Sequence, residues 1–181
     1  MNKYWEHFKT ITKHKWVVMV NCFKCGLIWQ GLMHDNSKYG LTEFFSSARY
    51  FQGNRSPIDA AKEEVGYSNA WFHHKGRNPH HWEYWIDNLG TYENKPAKIP
   101  YRYVVEMVCD WIGAGQVYNK GTWNQHQVLE YYNKVRGERI FQPETEKLLL
   151  EFLRIIDEEG LDAFYEASKV LDLTYNARQG E

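Results

Sequence analysis

The chain has 181 residues with 22 Lys and Arg against 23 Asp and Glu, enough length for one domain with a proper core at a formal charge of -1. That balance excludes a global electrostatic pull toward nucleic acid or anionic lipid, and 17% aromatic residues exclude a disordered chain. Apolar runs such as Trp16 to Val20 are too short to span a bilayer, and the N-terminus lacks a signal-peptide core, so a cytoplasmic protein without a membrane partner is expected.

Apolar residues recur at helical spacing almost throughout, and no strand-type alternation stands out, which predicts an all-α single domain. The first helix is expected from Tyr4 to Val20, with a second or a continuation from Asn21 to Met33. A third begins near Thr42. Ser56-Pro57 pairs an N-cap with Pro at the first helical position, opening a helix through Ala60, Val65 and Ala70 to His74. A short helical piece is expected from His80 to Leu89, then a loop from Gly90 to Pro100. The run Tyr101 to Val117 is strongly apolar and helical. Thr122-Trp123-Asn124-Gln125 has the capping-box pattern and predicts the next helix start. Pro143 opens another, closed by Gly160, and the last runs from Leu161 to Leu171, with Asn176 to Glu181 as a frayed tail.

Cys22, Cys25 and Cys109 are an odd number of thiols for a disulfide framework. Cys22 and Cys25 have CxxC spacing but no second ligand pair, so they read as reduced thiols on a helix.

His34 and Asp35 are adjacent at the end of an apolar run, before the turn-prone Asn36-Ser37 and Gly40. Neighbours on a regular helix point about 100° apart, so joint coordination of one ion requires the helix to end there. Their neutral nitrogen and hard oxygen suit Mn, Fe, Co, Ni or Zn rather than Ca. His14 lies on the first helix. Two further pairs, His73-His74 and His80-His81, flank a turn through Gly76, Arg77 and Pro79. One member of each can face inward, either His74 with His81 or His73 with His80; we select the former. Asp110 is a charge inside an apolar helix, so it binds a cation or pairs with a residue such as Arg102 or Lys15. His7 and His126 read as surface or packing residues. Glu43 reads as a carboxylate complementing a helix N-terminus rather than orienting a water. The aromatics Tyr39, Trp71, Trp82, Tyr84, Trp85 and Trp111 read first as core, and second as a surface for a base or sugar.

The order His14, His34-Asp35, the later histidines and Asp110 on helices resembles the HD-domain metal-dependent phosphohydrolase superfamily. His34-Asp35-Asn36-Ser37-Lys38 has the HDxxK form seen in many of its members. The resemblance covers residues 10–118 and leaves 119–181 as additional packing helices within one HD-type helical bundle, 1–181. It implies one or two divalent ions per chain, the first held by His14, His34, Asp35 and Asp110. His74 and His81 would hold a second, bridged by Asp35, or contact substrate together with Arg77 in a one-metal site. The implied activity is hydrolysis of a small phosphoester or nucleotide by metal-activated water, with Asp35 and Lys38 catalytic and Lys38 and Arg77 binding substrate. A di-iron oxygenase on the same scaffold and a noncatalytic metal-binding helical protein are the alternatives. A nucleic-acid partner is not expected, because the basic residues are dispersed.

Overall fold

Helix α1 (Lys3–Lys24) begins where the Asn2 side chain accepts the Tyr4 amide, and it turns His7, Ile11, His14, Val18, Asn21 and Cys22 inward. That spacing of three or four residues is one face of a helix. Gly26, at φ +79, ends the run; a side chain there would be strained, so the chain breaks before α2 (Ile28–Met33) instead of continuing. The computed structural model describes residues 2–87, 95–171 and 175.

A 3-10 turn (Asn36–Tyr39) leads into α3 (Leu41–Tyr50). The Ser56 cap and Pro57 open α4 (Pro57–Val65) as the sequence indicates, but Gly66 at φ 82 closes it and Ser68 caps a separate α5 (Asn69–Lys75). One expected helix is therefore two. The segment after His80 also differs: a 3-10 turn (Trp82–Trp85) precedes a two-residue strand, β1 (Ile86–Asp87). It pairs antiparallel with β2 (Lys95–Pro96), Ile86 opposite Pro96. Leu89, the Gly90–Asn94 part of the expected loop and the Asn176–Glu181 tail lie outside the described residues.

Helix α6 (Tyr101–Tyr118) is the centre of the fold, with Val104, Val108, Cys109 and Ile112 fully buried. It packs against α1 on one side and α8 (Pro143–Glu159) on another. The approach to α1 is close because Gly113 faces Val18: a Cβ on Gly113 would stand 2.5 Å from Val18 Cγ2. Helix α7 (His126–Val135) starts later than the capping-box pattern indicates, since Thr122 donates to the Asn119 carbonyl and Asn124 accepts the His126 amide. Gly160 separates α8 from α9 (Leu161–Val170). Leu148, Leu149, Phe152, Leu153 and Ile156 form the inward stripe of α8 against Val104, Phe164 and Tyr165. Each such side chain contributes about 1.5–3 kcal/mol by burial. The fold is an all-α single domain, and among the described residues no helix is long and apolar enough to cross a membrane.

Cys22, Cys25 and Cys109 are buried free thiols where α1 meets α6, with Cys25 Sγ 3.8 Å from Cys109 Sγ. His7 is a packing residue between the rings of Phe44 and Phe51. His126 is on the surface, against Asp157.

Candidate metal centre

Asp35 adopts φ 55, ψ 21, the left-handed conformation, and among the described residues it is the one non-glycine residue at positive φ. Strain of about 1–3 kcal/mol is expected at such a residue and persists only where the surroundings over-determine it. Lys15 does so: its ammonium donates to the Leu32 carbonyl at 2.8 Å, the His34 carbonyl at 2.7 Å and Asn36 Oδ1 at 2.7 Å. The end of α2 is thereby clamped, and His34 and Asp35 turn inward together.

Asp35 then faces two groups of side chains with different oxygens. Oδ2 lies 3.4 Å from His14 Nε2 and 3.3 Å from His34 Nε2, and Asp110 Oδ1 lies 2.9 Å and 3.5 Å from the same two nitrogens. Oδ1 lies 3.2 Å from His74 Nε2 and 3.4 Å from His80 Nε2, with His81 completing that group. Asp35 Oδ1 and the Nε2 atoms of His34, His74, His80 and His81 are buried without a hydrogen-bond partner, whereas Asp35 Oδ2 meets the Lys38 ammonium at 2.5 Å. Buried polar atoms are rarely left so. Nitrogen and oxygen ligands about 2.1 Å from a shared ion stand about 3.0–3.4 Å apart, close to these gaps. The donor set is therefore compatible with holding a metal ion.

The far sides of the rings are held by carboxylates. Glu106 Oε1 accepts from Nδ1 of His34 at 2.9 Å and from Nδ1 of His80 at 3.0 Å, so one acid orients a histidine of each group. Glu43 accepts from His74 Nδ1 at 2.7 Å and His73 Nδ1 at 2.5 Å. Ser37 donates to Glu43 at 3.1 Å and Asn78 donates to Ser37 at 2.9 Å.

The electrostatics follow from this crowding. Burial alone favours the neutral form of Asp35, but His34, Lys38 and His74 outweigh it and hold the carboxyl well below its ordinary range. Asp110 is depressed in the same way by His14 and His34. Burial opposes a charge on His34, yet Asp35, Asp110 and Glu106 together raise its pKa well above the usual value. His81 is pushed well down, first by burial and then by His80 and His74, which keeps it neutral. Burial also opposes the Lys38 charge, but Asp35 and Asp110 raise its pKa.

The structure thus brings His14, His34, Asp35 and Asp110 together, and His74 and His81 into a second group with Asp35. His80 belongs with them as well, where the sequence leads one to expect only one residue from each pair. Gly76 and the extended backbone at His81 allow it: His80 and His81 follow a helical turn and are not themselves helical, so both face inward. His73 supports Glu43 instead. Arg77 is exposed, donates to the His73 carbonyl at 3.4 Å, and does not line the adjoining cleft. Glu43 is committed to histidines rather than to a helix terminus. Asp110 has His14 where Arg102 or Lys15 was the alternative. Glu106 was missed, though it stands one turn before Asp110 on the same apolar helix, a visible signal.

His14, His74, His80, His81 and Asp110 open onto a cleft of about 670 Å³ between α4 and α7, lined also by Lys38, Trp71, Trp82 and Trp111. Of the aromatics read as core, these three tryptophans thus also wall the cleft. Fold and site together define a helical domain with a buried histidine-carboxylate cluster compatible with metal binding. The chain belongs to the DUF5662 family, a family of unknown function, whose family model matches residues 3–155. No curated protein and no solved structure matches it.

Proposed function

We propose that the chain is a phosphohydrolase acting on a small phosphoester or a nucleotide, in which Asp35 and the donor groups on either side of it would hold two divalent transition-metal ions. The observation that supports this reading is the division of Asp35: each oxygen faces its own pair of buried imidazole nitrogens. His14, His34 and Asp110 would hold one ion, and His74, His80 and His81 the other. Such ions supply a hydroxide nucleophile near neutral pH and polarise the phosphoryl oxygen.

The chain's own residues supply the rest. Glu106 and Glu43 fix the ring planes of His34, His80 and His74, so the donors need little reorganisation. Lys38, fixed against Asp35 and lining the cleft, puts a permanent positive charge where the nonbridging phosphoryl oxygens gain charge. Arg77 does not contribute to this arrangement. The order of these residues along the chain resembles that of the HD-type phosphohydrolases, which supports the same chemistry.

The test is phosphate release by full-length protein loaded in turn with Mn, Fe, Co, Ni or Zn, on a panel of phosphomonoesters and nucleotides. Turnover that depends on metal and falls about 10²-fold or more in Lys38→Met supports the reading, the size expected for removing one fixed transition-state charge. Oxygen consumption by the iron form without phosphate release would assign an oxygenase instead, and bound metal without either activity a noncatalytic domain.

A further inference from the structure

Resting on the hydrolase reading, we infer that the substrate is a phosphoester with a second anionic group, phosphate or carboxylate, received by Arg139 and Lys62 on the walls of the cleft. The volume, about 670 Å³, is that of a site for a whole small molecule rather than for one phosphate. Five cations line it: Lys38, Arg55, Lys62, Lys134 and Arg139. Two are already engaged, Lys38 with Asp35 and Arg55 with Glu63 at 2.7 Å.

Arg139 is held differently. Its guanidinium lies 4.7 Å from the ring centre of Trp111 and 5.2 Å from that of Tyr131, and Nη2 donates to the Tyr131 hydroxyl at 2.7 Å. Lys62 is carried 5.3 Å over the ring of Trp71 on the α4 wall. Among the described residues, no carboxylate comes within ion-pair distance of either cation, although Asp59, Glu83 and Glu138 share the walls. The cleft is therefore not uniformly basic. Aromatic rings instead fix two cations in place, and Arg139 spends one N–H on the Tyr131 hydroxyl and keeps its other side-chain donors, so little ordering cost remains when an anion arrives. The planar fork of Arg139 matches a carboxylate or phosphate with two parallel hydrogen bonds. The ring faces that carry Lys62 and Arg139 are closed to a stacked base, which turns the aromatic wall from a base platform into a support for charge.

The experiment is calorimetric binding to the metal-loaded full chain of inorganic phosphate and of alkyl phosphates of increasing length ending in methyl, carboxylate or phosphate. At one chain length the terminal anion should tighten binding roughly ten- to a hundredfold over methyl, the value of a charge-assisted hydrogen-bonded contact. The carboxylate and phosphate arms show which anion is preferred. Arg139→Met should abolish that gain while leaving the methyl-ended compounds unchanged, and Arg139→Lys should recover only part of it. Both positions are on the cleft wall, and unchanged far-ultraviolet circular dichroism identifies the folded variants. A terminal anion without effect at any length overturns the inference, as does a gain that survives in the Arg139→Met, Lys62→Met double variant. If inorganic phosphate binds with metal dependence in that case, the hydrolase reading stands alone; if no phosphate compound binds, both readings fall.

Discussion

Asp35 and Lys15 form a unit whose parts are separated by 20 positions but share one task. The Lys15 ammonium replaces the missing helix continuation by binding the last carbonyls of α2. Lys15→Met removes a partly exposed charged donor from those carbonyls, which should lower stability by about 1 kcal/mol in chemical denaturation and weaken metal retention at the same time. Equal metal retention in the variant would show that Asp35 holds its conformation without the clamp. His7 gives a cleaner test of acid response, since it is no ligand. Burial, helped by Lys38, lowers its pKa from 6.5 to about 4. The unfolded chain then binds a proton that the folded chain refuses, so this residue's contribution to stability falls as the pH drops from 6.5 toward 4. His7→Phe should flatten the decline of Tm across that window; an unchanged decline would place the acid sensitivity elsewhere. At this scale the sequence showed which residue types converge, but not the outer carboxylates. Glu43 and Glu106 have the look of ordinary helix charges until the fold sets them behind imidazoles.

Among the elements, the seam between α1 and α6 matters most, because His14 comes from one helix and Asp110 from the other. Gly113 allows the approach. Gly113→Ala should destabilise by about 1–3 kcal/mol through overpacking against Val18, and it should loosen metal binding by parting His14 from Asp110. Denaturation and metal titration of the same variant check both effects. Helix existence was legible from apolar spacing alone, whereas helix ends were not always. Gly26 and Gly66 sit in stretches whose apolar period continues past them, and only the positive φ at each shows that the chain breaks there. The His80–His81 segment misled for a related reason. A helical reading forces neighbours apart, while the 3-10 and extended backbone actually present lets both rings turn to Asp35.

For the molecule as a whole, the cluster concentrates acids and imidazoles that would oppose packing without a cation among them. Metal should accordingly act as part of the fold: chelation should lower Tm, and metal restored in excess should raise it again, since a ligand bound only by the folded state stabilises by mass action. The all-α class was legible because it depends on periodicity spread over the entire chain. The cleft was not, because its walls come from α4, α6 and α7 and its cations meet only in three dimensions. The most direct measurement is elemental analysis of protein purified without chelator, wild type beside Asp35→Ala and His80→Ala. Two ions per wild-type chain are expected, one in His80→Ala and fewer than one in Asp35→Ala. Wild-type protein that takes up no divalent metal when offered it, or an Asp35→Ala variant that retains both ions, would contradict this.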